Sequence, residues 1–401
     1  MNLNTWRGLR YAAIFAALLV LGACDKGKGG GGGTGGSGAA SGGGTPPPSG
    51  TIVIGHFASM TGPQATFGIS TDQAIRLAIK ERNAKGGVKG RQVSLVTIDD
   101  AGKQTEAATA VTRLINDHHA VAVLGEVASS LSLAGGPIAQ KAHVPMISPS
   151  STNPDVTDVG DYIFRVCFLD DFQGWVAAKF AKENLKAQKV AILYDQAQAY
   201  SSGLADYFDK AFKEMGGTVV TKQAYTGGNL EISSQLQSIK GAGAEVVFLP
   251  GYYSDAGTII RKAKEAGITA KFLGGDGWDS EELPKIAGDA INGNFFSNHY
   301  APEEDRPEVK NFVEKYKQEY GKTPDGLAAL GYDAALVLFD AMERAPSLDG
   351  KVLRDAIAAT KNFTGVTGTF SIDENRNAQK SAVVVEYKGG KQTMAARIEK
   401  K

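Results

Sequence analysis

The chain has 401 residues, and its 43 Lys plus Arg balance 43 Asp plus Glu, so the formal net charge at pH 7 is zero. This balance leaves no basic field that would attract nucleic acid, which excludes nucleic acid as an expected partner. The part of the chain after Thr51, about 350 residues, exceeds one ordinary hydrophobic core and predicts two lobes.

The first 24 residues have the pattern of an export signal. Arg7 and Arg10 supply positive charge, and residues 11–20 form an apolar segment. That segment is too short to span a bilayer, which takes about 20 apolar residues. The small residues before Cys24 are similar to a bacterial lipoprotein cleavage site, so we predict a signal peptide over 1–24 and lipid attachment at Cys24. A cysteine present there by chance is the alternative.

Residues 25–50 consist mainly of Gly, Ser and Pro and contain no large apolar side chain. Such a segment cannot offset the entropy of ordering its backbone and predicts a flexible tether. The folded part therefore begins near Thr51, and the tether would hold it close to a membrane surface.

Apolar runs typical of strands alternate with amphipathic segments whose apolar spacing is near 3.6 residues. This alternation predicts the α/β class, with parallel sheets covered by helices on both faces. Residues 368–398 instead indicate strands joined by tight polar turns. The nine predicted strands before them are residues 51–58, 92–99, 120–125, 145–148, 189–194, 217–225, 245–251, 271–275 and 292–300.

Two segments, residues 121–152 and 246–278, follow the same plan of apolar strand, glycine, loop, helix, apolar strand and polar loop. When Gly125 is set against Gly251, Ser150 falls opposite Asp276. Each lobe then carries a polar loop at the carboxyl end of its strands, where open α/β sheets bind ligands. A chance likeness of two βαβ units is the alternative.

The sequence contains no coherent enzyme site, and we predict no catalytic residue, metal or cofactor. The hydroxyl-rich loop 148–152 lacks the glycines of a nucleophile elbow. His143 precedes it, but no partner motif marks this histidine as a base. Residues 321–323 lack the leading glycine of a phosphate loop, and residues 373–377 lack the glycine and the terminal acid of a calcium loop. A solvated hairpin turn is the better interpretation of 373–377.

The hydroxyl groups instead suit a carboxylate. Ser129 follows a strand and opens a helix, so free backbone N–H groups and the positive end of that helix point to the same place. Ser150, Ser151 and Thr152 add donors, and together they form a nest for one negative charge. The alternative for Ser129 is that it only caps its helix.

The opposite lobe carries the complementary groups. Asp276 lies between glycines after an apolar run, which suits close approach of a ligand, although a turn residue is the alternative. Tyr200, Tyr252 and Tyr253 are predicted at strand ends of this lobe, where their rings can cover a cation and an apolar chain. Ordinary packing is the alternative, and it is favoured for Tyr253. A nest on one side and an acid with aromatic rings on the other predict a site for an α-amino acid zwitterion.

Seven short motifs are spread along the folded part: I-G-x5-T-G at 54–62, N-A-K-G-G-V-x-G at 83–90, D-D at 99–100, M-I-S-P-x-x-T-N-P at 146–154, F-R-V at 164–166, G-Y-Y at 251–253 and F-x-x-D-x-x-x-N at 370–377. With these motifs the chain resembles, from about Thr51 to Lys391, the branched-chain amino acid binding proteins of bacterial ABC transporters, a class of type I periplasmic binding proteins.

The resemblance implies that Ser129, Ser150 and Thr152 hold the ligand carboxylate and that Asp276, where glutamate is usual, holds the ammonium. It implies aromatic contacts from Tyr200 and Tyr252, with Phe67 at a position where tyrosine is common. The shorter acid and the apolar Phe67 leave the particular amino acid open, and related members bind amides, urea or aromatic acids. Lys103 and Ala128 stand where the family has a disulfide.

The resemblance also implies a two-lobed fold with three hinge crossings. Lobe 1 is expected over 51–170 and 300–379, and lobe 2 over 171–299 and 380–401. The expected partners are an amino acid, an ABC permease with its ATPase, and the membrane through the N-terminal lipid; a monomer is expected. The location would be the periplasm, at the inner membrane in a Gram-negative cell. A tethered sensor with the same clamshell is the rival interpretation.

Overall fold

The protein is described from a computed structural model, which covers residues 50–399. The predicted signal peptide, the lipid-attachment residue Cys24 and nearly all of the tether lie outside the described residues. No helix within residues 50–399 combines the length and the apolar composition needed to cross a bilayer.

The first sheet contains five parallel strands in the spatial order β2-β1-β3-β4-β5. All seven residues of β1, an inner strand of this sheet, are buried, as expected for a parallel strand covered on both faces. The strands are β1 (Ile52–Ala58), β2 (Val93–Asp99), β3 (Ala122–Leu124), β4 (Met146–Ser148) and β5 (Ile163–Arg165).

The second sheet contains seven strands in the order β14-β13-β10-β9-β8-β6-β7. The five strands from β6 to β10 are parallel, and β13 and β14 add an antiparallel hairpin at one edge. The strands are β6 (Lys189–Asp195), β7 (Thr218–Tyr225), β8 (Val246–Phe248), β9 (Lys271–Gly274), β10 (Phe295–Asn298), β13 (Ala382–Lys388) and β14 (Lys391–Ile398). A short hairpin of β11 (Phe363–Gly365) and β12 (Gly368–Phe370) stands apart.

Helices connect the strands and flank both sheets. The first lobe's sheet is connected by α1 (Ala65–Ala84), α2 (Gln104–Asn116), α3 (Ser129–Ala142) and α4 (Asp155–Asp158). The second is connected by α5 (Asp170–Glu183), α6 (Ala199–Glu214), α7 (Ser233–Ala242), α8 (Tyr253–Glu265) and α9 (Leu283–Ala287), with 3₁₀ turns at Asp276–Trp278 and Gly288–Ile291. Then follow α10 (Pro307–Tyr320), α11 (Gly326–Arg344) and α12 (Gly350–Ala358).

The predicted repeat is confirmed by the strand order. The strands β2-β1-β3-β4-β5 of the first sheet and β7-β6-β8-β9-β10 of the second have the same order along the chain and the same order in space. The units β3-α3-β4 and β8-α8-β9 therefore occupy equivalent places, and Ser150 and Asp276 each lie two residues after their strand. In both sheets the order reverses beside the first strand, so the carboxyl ends of the strands open a crevice there.

All nine predicted strands before the C-terminal region are present, although several are shorter than their apolar runs. The prediction of polar turns after residue 368 is also confirmed. In the turn at 373–377, one carboxylate oxygen of Asp373 accepts hydrogen bonds from the N–H groups of Asn375 and Asn377, each at 2.9 Å. Cys167 is buried and free.

Candidate functional site

Six of the eight residues predicted to bind a ligand line one narrow cavity between the two sheets. Only about 10 Å³ of it is wide enough for the centre of a water molecule, which is space for about one water. A larger ligand therefore requires the walls of the cavity to move apart. The lining residues are Phe67, Val127, Ser129, Ser150, Tyr200, Tyr252, Asp276, Gly277 and Leu327.

Most of the lining residues follow the carboxyl ends of strands, whereas Phe67, Tyr200 and Leu327 lie in helices. Val127 and Ser129 follow β3, and Ser150 follows β4. In the second lobe, Tyr252 follows β8 and Asp276 follows β9. The topology therefore brings the two polar loops of the repeat to opposite sides of one cavity, as the sequence predicted.

The first wall of the cavity presents hydrogen-bond donors. Ser129 is the first residue of α3, a helix of 14 residues whose first N–H groups lack partners within the helix. Ser150 is buried, and its Oγ has no hydrogen-bond partner among the described residues. A buried hydroxyl without a partner is unfavourable by about 1–3 kcal/mol, so a ligand oxygen that accepts from Ser150 would be stabilised here.

The hydroxyl of Ser129 does not cap its helix. The N-cap residue is Ala128, without a side-chain cap, and Oγ of Ser129 instead accepts from the N–H of Asn153 at 3.3 Å. The interpretation of Ser129 as a mere capping residue is therefore wrong. Its contact with Asn153 fixes the first turn of α3 against the loop after β4.

Ser151 and Thr152 do not line the cavity, unlike the other predicted residues. Oγ of Ser151 lies 2.7 Å from Oγ of Ser132 and donates to the carbonyl oxygen of Glu126 at 2.9 Å. The carbonyl oxygen of Thr152 accepts from the N–H of Asp170 at 2.9 Å. These two residues support the hydroxyl loop from behind.

The loop that carries Val127 and Ser129 is anchored by Glu126. Its carboxyl group accepts from the N–H and, at 3.1 Å, from the hydroxyl of Ser59, and also from the N–H of Ala128. Burial raises the pKa of Glu126 to about 8, with a further contribution from Asp100. This carboxyl group is therefore largely protonated at neutral pH and adds little charge to the cavity.

The second wall is centred on Asp276, which is buried. Oδ1 accepts hydrogen bonds from Nε2 of Gln173 and from the hydroxyl of Tyr200, both at 2.8 Å. Oδ2 lies 2.9 Å from Nε2 of His299. Asp276 is therefore not a solvent-exposed turn residue but the acceptor at the centre of a buried polar cluster.

The glycines beside Asp276 admit protein groups closely. A Cβ at position 275 would lie 2.2 Å from the hydroxyl of Tyr200, and one at position 277 would lie 2.5 Å from the carbonyl oxygen of Gly251. The sequence indicated close approach of a ligand at these glycines. The structure shows that they are also required for the neighbouring loops to pack.

Aromatic rings form the remaining wall. The rings of Tyr200 and Tyr252 stack with centroids 5.3 Å apart, and Phe67 meets the edges of Tyr252 at 5.9 Å and Tyr253 at 5.0 Å. The hydroxyl of Tyr252 is buried without a hydrogen-bond partner among the described residues. Tyr200 and Tyr253 lie in the first turns of α6 and α8, not at strand ends as predicted.

No catalytic arrangement accompanies these groups in the described part of the chain. Oγ of Ser150 has no histidine within hydrogen-bond distance. His143 ends α3, and its ring contacts Tyr162 at 5.1 Å. Within residues 50–399 no group of three His, Cys, Asp or Glu side chains is placed to hold a metal ion.

Four residues of the site were missed by the sequence interpretation. Val127 and Leu327 line the cavity, and Gln173 and His299 hold Asp276. When Gly125 is set against Gly251, Val127 falls opposite Tyr253, which does not line the cavity, so the repeat gives no signal for Val127. Gln173 and Leu327 lie in helices and His299 directly follows β10, and no sequence motif marks any of the three.

Comparison with known proteins identifies the family. A family profile described as periplasmic binding protein matches residues 51–392. The chain belongs to this family of periplasmic binding proteins.

Individual relatives are similar along most of the chain. A Leu/Ile/Val-binding protein homolog of Brucella abortus is 33% identical over 342 residues, covering 84% of this chain and 91% of the relative. The crystal structure of the leucine-binding protein LivK of Thermotoga maritima is 42% identical with a TM-score of 0.84, covering 87% of this chain and 99% of that one. LivJ of Streptococcus pneumoniae, solved with isoleucine, is 32% identical with a TM-score of 0.82, at the same coverages.

Proposed function

We propose that this protein captures a small amino acid, most suitably a branched-chain one, outside the cytoplasm and delivers it unchanged to an ABC permease and its ATPase. The observation that carries the proposal is the polarity of the cavity: an unpartnered serine hydroxyl and a helix N-terminus face an aspartate flanked by tyrosines. This pattern complements the carboxylate and the ammonium of a zwitterion. The ligand-bound LivJ structure and the names of the other relatives support it.

In this proposal Ser129 and Ser150, with the first turn of α3, hold the carboxylate. Asp276 accepts from the ammonium, and Tyr200 and Tyr252 cover it. Phe67, with Val127 and Leu327, surrounds the aliphatic side chain. Ser151 and Thr152, also predicted as ligand contacts, support the loop and would act only through backbone atoms.

The lobes close around the ligand as a clamshell. Lobe 1 comprises 51–170 and 300–379, and lobe 2 comprises 171–299 and 380–401, with hinges at the three crossings. Closure is stabilised only by contacts that the open form lacks, so the ligand shifts the population to the closed shape. A permease would recognise that closed shape. The protein acts as a monomer, tethered to the membrane by lipid on Cys24.

The proposal is tested by isothermal titration of residues 51–401 with leucine, isoleucine, valine and alanine. Replacement of Asp276 by alanine leaves the ammonium unpaired in a buried site, a loss of about 2–5 kcal/mol or roughly 30- to 4,000-fold in affinity. Asp289→Ala is the matched control, since it removes the same charge from an exposed position of the same lobe. An unchanged Kd in Asp276→Ala would remove this role from Asp276.

A tethered sensor with the same clamshell is the rival function, and receptors for amides, urea or aromatic acids are rival specificities. Sensor and transporter differ in partner and not in cavity, so co-purification with a permease or with a histidine kinase separates them. A thermal-shift screen over amino acids, amides and aromatic acids separates the specificities. Release of a chemically altered ligand would contradict all of these and indicate an enzyme.

A further inference from the structure

Three neutral donors hold the carboxylate of Asp276, and each comes from a different element. Gln173 lies on α5, Tyr200 on α6 and His299 directly after β10. An ionised carboxylate offers about four acceptor positions. Two on Oδ1 and one on Oδ2 are used by the protein, so one position on Oδ2 remains for a ligand.

His299 is built to act on Oδ2. Its side chain is fully buried, and its ring stacks on Phe168 with centroids 3.7 Å apart and planes at 21°. A carboxylate only accepts, so Nε2 of His299 carries the proton and donates at 2.9 Å. Nδ1 has no hydrogen-bond partner among the described residues, so within this part of the chain the ring makes its hydrogen bond to Asp276 alone.

The charge state of the donor matters as much as its position. Burial lowers the pKa of His299, opposed by the hydrogen bond to Asp276, which favours the neutral ring. A neutral donor orients the carboxylate without cancelling its negative charge, whereas a lysine or arginine at the same place would compete with the ligand ammonium. Aspartate is shorter than glutamate, and its reach into the cavity depends on such orientation.

We propose that His299 is a positioning residue for ligand recognition, which holds Oδ2 of Asp276 so that its remaining acceptor position faces the ammonium of the bound amino acid. The inference rests on the proposed function of the cavity. It assigns to His299 a part in affinity, although the residue does not line the cavity.

Three variants test the role through leucine titration. His299→Phe keeps a flat ring against Phe168 but removes the donor, and affinity should fall about 10- to 100-fold. His299→Gln offers a neutral N–H donor and should stay within about threefold of the wild type. His56→Phe is the matched control: His56 is also fully buried, but it contacts the carbonyl oxygen of Leu124 in the first sheet, and its replacement should leave the affinity unchanged.

A double-mutant cycle separates positioning from general support of the fold. If His299 acts through Asp276, His299→Phe should produce no further loss in an Asp276→Ala background. Ligand-observed NMR can measure the weak binding, in the millimolar range, that is expected in the Asp276→Ala background. The inference would be overturned if the fold-losses in affinity of the two single variants multiplied in the double variant, or if His299→Phe alone left the affinity unchanged. If His299→Phe does not fold, Gln173→Met enters the same cycle, because it removes a donor from Oδ1.

Failure of the proposed function has a different signature. In that case the wild type itself would bind no amino acid, and the thermal-shift screen would show another ligand or none. If the wild type binds leucine and only the cycle fails, the cavity retains its function and His299 loses its assigned role.

Discussion

The hydroxyl groups of Thr66 and Ser280 lie 2.9 Å apart, although 214 residues separate them in the chain. Thr66 is in the first turn of α1, and Ser280 follows the 3₁₀ turn after β9, so this hydrogen bond joins the loops of the two lobes. Beside it, Oδ2 of Asp279 accepts from the N–H of Gly326 at 2.6 Å. In the proposed clamshell these bonds belong to the closed form, because they join the loops of the two lobes.

Removing the Thr66 contact should favour opening. The double variant Thr66→Val, Ser280→Ala removes the hydrogen bond between the lobes, worth about 0.5–1.5 kcal/mol, so leucine affinity should fall roughly 2- to 13-fold. It also removes the acceptor for the N–H of Glu282, a contact within one loop. Small-angle X-ray scattering without ligand should show a larger radius of gyration for the double variant than for the wild type. Thr109→Val, which removes a hydroxyl bonded within α2, is the control and should change neither quantity. Equal affinities in both variants would show that the contact does not contribute to closure.

Glu126 should make stability depend on pH. Burial raises its pKa from 4.5 to about 8, so the folded state binds more protons than the unfolded state between these values. Its stabilising contribution is complete below about pH 4.5 and is lost as the pH rises to about 8. The free energy of unfolding, measured with urea, should therefore fall between pH 5 and pH 9.

The matched variant for that measurement is Glu126→Gln, which cannot titrate at this position. It loses the acceptor for the N–H of Ala128 and should be less stable than the wild type at pH 5. Its stability should nevertheless fall less steeply up to pH 9. If the free energy of unfolding of the wild type and of Glu126→Gln changed with pH in parallel, Glu126 would not titrate in this range.

The polar loops could be predicted from the sequence because they follow long apolar runs at equal offsets. Ser150 and Asp276 were found in this way, and the strand order supports the same repeat. The sequence does not distinguish which of two adjacent serine hydroxyls lines the cavity. Whether Ser150 or Ser151 faces the cavity depends on the loop conformation after β4, where no regular alternation of side chains applies.

The missed residues reach the site only through tertiary packing. Leu327 is the second residue of α11, whose buried residues surround much of the helix, so no apolar face marks it as a lining residue. His299 directly follows the buried strand β10 and has the sequence context of a core residue. Tyr200 was predicted at a strand end, but it is the second residue of α6, which begins at Ala199.

Cys167 should be unreactive in the folded protein. It is fully buried, and burial raises the pKa of its thiol to about 12, so the nucleophilic thiolate is scarce at neutral pH. In a protein beginning at Thr51 it is the single cysteine. Ellman's reagent should therefore detect about one thiol in 6 M guanidinium chloride and almost none without denaturant. Rapid labelling of the native protein would contradict this burial.

Leu327 should determine which side chain the cavity accepts. Leu327→Ala removes three carbon atoms from the wall, and at about 0.8 kcal/mol per buried CH₂ each lost contact reduces leucine affinity up to roughly fourfold. The space gained should favour larger ligands, so the affinity ratio of phenylalanine to leucine should rise. Leu330→Ala is the control, because this residue is fully buried in the same helix without lining the cavity.

The two variants should separate selectivity from stability. Leu330→Ala should lower the free energy of unfolding by about 2–5 kcal/mol while leaving the affinity ratio of the two ligands unchanged. Leu327→Ala should change that ratio with a smaller loss of stability, because its side chain already borders a cavity. Titration with both amino acids measures the ratio, and urea unfolding measures the stability. The same ratio in both variants would mean that the aliphatic part of the ligand does not contact Leu327.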